Sequence, residues 1–232
     1  MKVILKKRPK NPIIIEGFPG FGLVGTIATE FLIKHLDAKP IGKFWSKNIT
    51  PIAAVHDSKV VEPLGIFYDN KHNIIILHAM SGVKGLEWEI ADCLVELCKD
   101  LKAKELISLE GIGSPERSAR SFYYTSNSKK RKAFDRLGLI PLKEGIVMGV
   151  TGALMLKFKD LSCFFVESHV SLADSKAAAE VIKILDKYLK LKIDIKPLLQ
   201  AAQQFEKNLS KLVEKSKIAM ERKERRRPDY LG

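Results

Sequence analysis

The stretch Ile13-Ile-Ile-Glu-Gly17-Phe-Pro-Gly20-Phe-Gly22-Leu-Val-Gly25 decides the fold. Three consecutive isoleucines suit a strand covered on both faces, because a β-branched run without alternation is what a sheet buried from both sides requires. The glycines that follow predict a tight turn. A helix is then expected from about Leu23 to Leu36, with apolar residues at Ile27, Phe31 and Leu32. Strand, turn and helix in this order are the opening unit of an α/β fold.

The same turn contains Gly20-x-Gly22-x-x-Gly25 after a strand and at the start of a helix, the context of a dinucleotide-binding fingerprint. That fingerprint also needs an acidic residue about 20 positions on, at the end of the next strand, to hold a ribose. Pro40 to Trp45 occupy that distance and the next acid is Asp57. Phe18, Pro19 and Phe21 make the loop bulky and apolar, which suits packing or a subunit contact better than phosphates. A nucleotide- or phosphate-binding enzyme that uses this turn stays open as an alternative.

Outward from the turn, strands are expected at Pro40 to Trp45, Ile52 to His56, Leu64 to Tyr68 and Ile74 to Ala79. Asp69-Asn70 predicts a hairpin between the last two, and hence a mixed sheet. Glu87 to Leu101 reads as a helix, with Ile90, Leu94, Leu97 and Leu101 on one stripe, leading into a strand at Leu106 to Leu109 that Gly111 to Ser114 ends. A short basic helix around Lys129 to Leu137 follows a polar, aromatic stretch. A strand is expected at Ile146 to Val150, a turn at Gly149-Val-Thr-Gly152, a short helix at Ala153 to Leu156 and a strand at Leu161 to Val166. Asp174 caps a helix to about Leu191, striped by Ala177, Val181, Ile184, Leu185 and Tyr188. Alternating strands and helices imply a three-layer α/β/α domain over residues 1–194.

Residues 195–232 form a second unit in this reading. Pro197 starts a helix in which Leu198, Ala202, Phe205, Leu209, Leu212, Ser216 and Ala219 alternate at spacings of four and three, a heptad pattern that weakens towards its end. A charged run leads to Pro228, Asp229, Tyr230, Leu231 and Gly232. From Glu206 to Arg227 nine Lys or Arg face four Glu, so much of the net charge of +13 sits on this tail. Excess positive charge invites a nucleic-acid partner. The cation and aromatic mixture Arg117, Arg120, Phe122, Tyr123, Tyr124 and Lys129 to Lys132 could serve single strands, and RNA binding is the second alternative.

Other chemistry is thinly supported. Cys93, Cys98 and Cys163 lack disulfide or metal spacing and read as buried thiols. His35, His56, His72, His78 and His169 show no paired metal-ligand spacing, and no cofactor is implied. Glu167, Ser168 and His169 end a strand and could supply a nucleophile and base, but neighbours on a strand point to opposite faces, so a triad would need distant help from candidates such as Ser114, Ser118, His56 and His78, and no GxSxG elbow exists. No apolar run could span a bilayer and Met1 to Lys10 lacks the apolar centre of a leader, which predicts a cytoplasmic protein.

Gly17-Phe-Pro-Gly-Phe-Gly-Leu-Val-Gly25, then Gly149-Val-Thr-Gly152-Ala-Leu-Met155, then Glu167-Ser168-His169 ahead of an Ala-rich helix, resemble the proteasome assembly chaperone family in its archaeal branch. The resemblance covers about Ile13 to Leu191 and marks Pro19, Gly20, Gly22, Gly25, Gly149, Gly152, Glu167, Ser168 and His169 as motif residues. Where relatives often continue with Gly-Tyr and a Pro-Asp-Pro turn, this chain has Val170-Ser-Leu-Ala-Asp174. The resemblance implies a phosphorylase/hydrolase-like α/β/α fold without enzymatic activity, a homo-oligomer such as a tetramer or pentamer, and binding to the α-subunits of the core proteasome. It also implies a C-terminal segment ending in a hydrophobic residue, tyrosine and one more residue, which inserts between α-subunits. Here Tyr230 stands third from the last position, between Asp229 and Leu231-Gly232.

Overall fold

The computed structural model describes residues 1–49, 54–56, 58–79, 83–113, 120–168 and 173–200. They divide into a compact unit Met1–Ile193 and a second unit that begins at Asp194. Residues 196–200 of the second unit are helical, and the Leu199 amide donates to the Ile195 carbonyl at 3.1 Å. The heptad positions beyond residue 200 and the tail motif Asp229, Tyr230, Leu231 and Gly232 lie outside the described residues, as do His169, Ser114, Ser118 and Arg117.

The first unit is built on a nine-stranded mixed sheet. Its strands in chain order are β1 (Lys2–Leu5), β2 (Ile13–Gly17), β3 (Lys39–Trp45), β6 (Leu64–Asp69), β7 (Ile74–Ala79), β8 (Glu105–Gly113), β9 (Ser121–Thr125), β10 (Ile140–Pro141) and β11 (Leu161–Ser168). The short pair β4 (Ala54–His56) and β5 (Lys59–Val61) stands apart as a hairpin. Spatial order is β1-β3-β6-β7-β2-β8-β11-β9-β10. The centre, β7-β2-β8-β11, is parallel and the flanks are antiparallel apart from β10 against β9. This explains why the central strands read as continuous apolar runs: helices cover both faces, so both side-chain directions must be apolar. The β6–β7 hairpin expected at Asp69-Asn70 is present, with Asp69 opposite Ile74 and its carboxylate accepting from the Lys71 and His72 amides.

Helices α1 (Val24–His35) and α5 (Ser175–Leu189) pack on one face, and α2 (Glu87–Leu101) and α4 (Gly149–Lys157) on the other. Alternation along the strands divides the core accordingly. Ile14, Ile75, Leu77, Leu106, Cys163 and Phe165 join Ile90, Leu94, Leu97 and Leu154 in one buried cluster. The short basic helix α3 (Ser128–Arg136) is capped by the Asn127 side chain, which accepts from the Lys129 and Lys130 amides. It sets Phe134 edge-on to Tyr123, Phe164 and Tyr188. Asp174 caps α5 as expected, accepting from the Ala177 amide at 3.0 Å. Cys93, Cys98 and Cys163 are buried free thiols, and burial raises the pKa of each.

Two expectations fail, and both failures shape the site. The strand predicted at Ile146 to Val150 does not form: residues 142–148 are irregular, and Gly149 to Gly152, read as a turn, is the first turn of α4. An apolar run resembles a buried strand to pattern reasoning, yet Ile146 and Met148 are 89% and 78% exposed. The strand expected to stop at Leu109 runs on to Gly113. Its glycines are needed for closeness, since a Cβ on Gly111 would lie 2.2 Å from the Phe21 carbonyl oxygen.

Candidate functional site

The parallel strands β2, β8 and β11 end side by side, and the turn after β2 lies across their carboxyl ends, the place where open α/β sheets carry their sites. Gly22 has φ +65° and Leu23 φ +51°, two successive left-handed residues that fold the chain sharply into α1. The glycines here are closed by the protein itself. A Cβ on Gly17 would sit 2.2 Å from the Gly25 carbonyl oxygen, and one on Gly25 would sit 2.3 Å from that of Leu109. At Gly22 a Cβ would meet Ser168 Oγ at 2.5 Å, and at Gly20 it would meet Glu110 Oε1 at 1.8 Å. A phosphate cradle needs those approaches open to a ligand. The helix α1 also leads to β3, which pairs with β6 and β1 and not with β2, so there is no Rossmann unit to supply a ribose-binding acid.

Three of the motifs noted in the sequence converge on this turn. On one side, Ser168 Oγ donates to Asp174 Oδ2 at 2.7 Å, and the Asp174 amide donates to the Gly22 carbonyl at 2.8 Å. Asp174 therefore joins the end of β11, the turn and the start of α5. Ser168 is fully buried and serves this junction. Its neighbour Glu167 is 4% exposed and takes the Arg120 guanidinium through both oxygens and the Arg120 amide at 3.1 Å. Glu167 thus ties β11 to the segment entering β9.

On the other side lies a buried acidic group that the sequence reading missed. Glu16 ends the run of isoleucines in β2, and in the sheet register it stands opposite Ser108 of β8. Ser108 Oγ donates to Glu16 Oε1, the Phe18 amide donates to Oε2 at 3.2 Å, and Ser108 Oγ lies 2.7 Å from Thr151 Oγ1. Thr151, from the Gly149–Gly152 turn of α4, donates to Glu110 Oε2 at 3.1 Å and lies 3.4 Å from Glu16 Oε1. Burial pushes Glu16 up to about 7, against its hydrogen bonds to Ser108, Phe18 and Thr151. Burial and the neighbouring Glu16 push Glu110 up to about 8. Ser108 and Thr151 carry one hydroxyl proton each, while the contacts of Ser108 with Glu16, of Ser108 with Thr151 and of Thr151 with Glu110 need one apiece, and a protonated carboxyl supplies the third. A Glu interrupting an apolar strand, at both Glu16 and Glu110, was the available signal.

Glu110 also forms part of the wall of a cleft of about 620 Å³, with Phe18, Pro19, Gly20, Phe21, Ile112, Leu142, Ile146 and Met148 around it. Among the described residues, the other sequence candidates do not gather here. His78 is buried in β7, with Nδ1 3.0 Å from Thr29 Oγ1, and burial lowers its pKa. Tyr123 is 2% exposed and donates to Asp135 at 2.6 Å. Arg120 engages Glu167, so the aromatic and basic stretch offers less stacking surface than its composition suggested. Among the described residues, no group of three or more His, Cys, Asp or Glu could hold a metal ion, and no helix is long and apolar enough to cross a membrane.

The profile of the PAC2 family matches residues 14–213, which takes in β2, the glycine turn, Glu110, α4, Glu167 and α5. The chain belongs to the PAC2 family. Among solved structures it is similar to Pyrococcus furiosus PbaA, an archaeal homologue of proteasome-assembly chaperone. The TM-score is 0.82 and the identity 31%, over 94% of this chain and 99% of that one. It is also similar to P. furiosus PbaB, an archaeal proteasome activator, with TM-score 0.77 and 25% identity over 91% of this chain and 98% of that one. An uncharacterised Methanocaldococcus jannaschii protein is 28% identical over 96% of this chain and 94% of its own length. The mixed α/β sheet of this PAC2 member is therefore the fold of these relatives.

Proposed function

We propose that this PAC2 protein is a non-enzymatic proteasome-binding protein, an assembly chaperone or activator. It docks on the α-ring of the core proteasome in the cytoplasm through the C-terminal tails of a homo-oligomer. The observation that carries the reading is the 31% identity to PbaA across 94% of the chain, with PbaB, an archaeal proteasome activator, similar at 25%. The glycine turn supports it from the other direction. Glu110, Ser168 and backbone carbonyls fill the approaches a phosphate would need, which disfavours a nucleotide enzyme built on Gly20, Gly22 and Gly25.

In this reading Tyr230 packs its ring between two α-subunits, Leu231 adds apolar area, and the Gly232 carboxylate meets a pocket lysine, with Asp229 preceding them. One such contact is weak, and several tails on one oligomer raise the effective concentration. Deleting Pro228 to Gly232 is expected to abolish pull-down by archaeal core proteasome while leaving the oligomer intact by light scattering. Unchanged pull-down would remove the tail from the mechanism, and absence of binding by the full chain would remove the function.

A further inference from the structure

The cleft beside the glycine turn has an unusual charge for its surroundings. The chain carries a net charge of +13, yet among the described residues that line the cleft there is no Lys, Arg or His. Its two ionisable groups are both acidic: Glu110 in the wall and the exposed Glu144 at the rim. The remaining side chains are apolar, and part of them is turned outward. Ile146 is 89%, Met148 78% and Phe21 40% exposed, on a loop and a turn that face each other across the opening. A volume of about 620 Å³ falls within the roughly 300–1,000 Å³ of ordinary ligand sites.

We propose that this cleft binds an extended peptide segment, laying apolar residues against Ile146, Met148 and Phe21 and passing one Lys or Arg side chain down to the Glu110 carboxyl. The chemistry of both groups matches the walls. A lysine or arginine has an apolar stem and a charged tip, so its methylenes cover Phe18, Ile112 and Leu142 while the tip meets the carboxylate. An outward apolar rim is what a polypeptide covers, whereas a small free amine would leave Ile146 and Met148 in water. Among the described residues the charge arrangement favours a cation. Glu110 faces Glu16 from β2 and Cys163 from β11, with Thr151 from α4 and Glu144 across the cleft, and none of these is positive. In the empty cleft Glu110 keeps its proton because burial and Glu16 disfavour a second charge. An arriving ammonium or guanidinium reverses that balance, and the carboxyl releases its proton to solvent as the ion pair forms.

The lining residues all belong to the unit Met1–Ile193, and the test uses the full chain and is repeated with Pro228 to Gly232 deleted. Calorimetric titration employs the capped peptides Ac-Leu-Lys-Leu-NH2 and Ac-Leu-Arg-Leu-NH2, their norleucine counterpart, and cadaverine. At neutral pH at least one cationic peptide is expected to bind about tenfold more tightly than the norleucine peptide. Its apparent enthalpy should differ between phosphate and Tris in proportion to their ionisation heats, reporting proton release. Glu110→Gln, which keeps the shape of the neutral carboxyl, should lose about tenfold in affinity and all buffer dependence. Ile146→Lys, on a position 89% exposed, should weaken binding by charge with the melting temperature unchanged. Deleting the tail should leave every value as it was.

Equal binding of the norleucine peptide, or no effect of both substitutions, would overturn the proposal. So would failure of both cationic peptides to saturate by about 1 mM, which corresponds to a binding free energy of only about −4 kcal/mol. Cadaverine binding as tightly as the peptides would overturn the peptide assignment and leave a small-amine site.

Discussion

The two sides of the glycine turn rest on different physics. Towards α5, Gly22 is sealed by Ser168 and Asp174: a buried hydroxyl, a capping carboxylate and a backbone carbonyl bond one another directly. Towards α4, Gly20 rests on Glu110, whose carboxyl shares Thr151 with Glu16 and stays neutral against its ordinary chemistry. The first side satisfies its charge within the fold. The second holds a charge in reserve next to an apolar cleft. Motif residues clustered in one turn therefore need not share one role: Gly22, Ser168 and Asp174 hold the fold, while Gly20, Glu110 and Thr151 border a surface.

Substitutions can break or sharpen that contrast. The largest effect is expected from Gly22→Val. It forces a β-branched residue to φ +65° and a Cβ to 2.5 Å from Ser168 Oγ, so stability should fall by on the order of 3 kcal/mol, read by denaturant unfolding. Asp174→Ala removes the α5 cap and the acceptor of Ser168. A loss of about 1–2 kcal/mol is expected, and Asp174→Asn should recover part of it because an amide oxygen still caps.

The α4 side is tested by pH. The carboxyls of Glu16 and Glu110 have folded-state pKa values of about 7 and about 8, raised above 4.5, so the folded protein binds protons that the unfolded chain has released. Their contribution is complete below about pH 4.5 and is lost as pH rises towards 8, where the curve levels. Each tenfold difference in proton affinity is worth about 1.4 kcal/mol. Melting temperature should fall across this interval, and Glu110→Gln should flatten the fall relative to wild type. A wild-type protein that is as stable at pH 9 as at pH 5, after correction by that variant, would contradict the neutral pair. The smallest effect belongs to the rim: Ile146→Ser should change stability by less than about 0.5 kcal/mol, because the side chain is 89% exposed.

Much of this was legible in the sequence, for a physical reason. Strands buried on both faces must be apolar throughout, and amphipathic helices must repeat every three or four residues, so β2, β7, α2 and α5 announce themselves locally. The glycines of the turn did so too, since only glycine tolerates the approaches made there. The segment at Ile146 to Val150 was misread because periodicity reports apolarity and not burial: an exposed apolar rim and an inner strand look alike.

By itself, then, the sequence determined the strand–turn–helix opening, the alternating α/β order and the motifs of the PAC2 family. Only the tertiary structure decided that Glu16 and Glu110 share one threonine from α4, and that Ser168 closes on Gly22. Those meetings depend on β2 lying between β7 and β8 and on β11 beside β8. Strand order is set by how whole layers pack, and no local pattern of side chains encodes it.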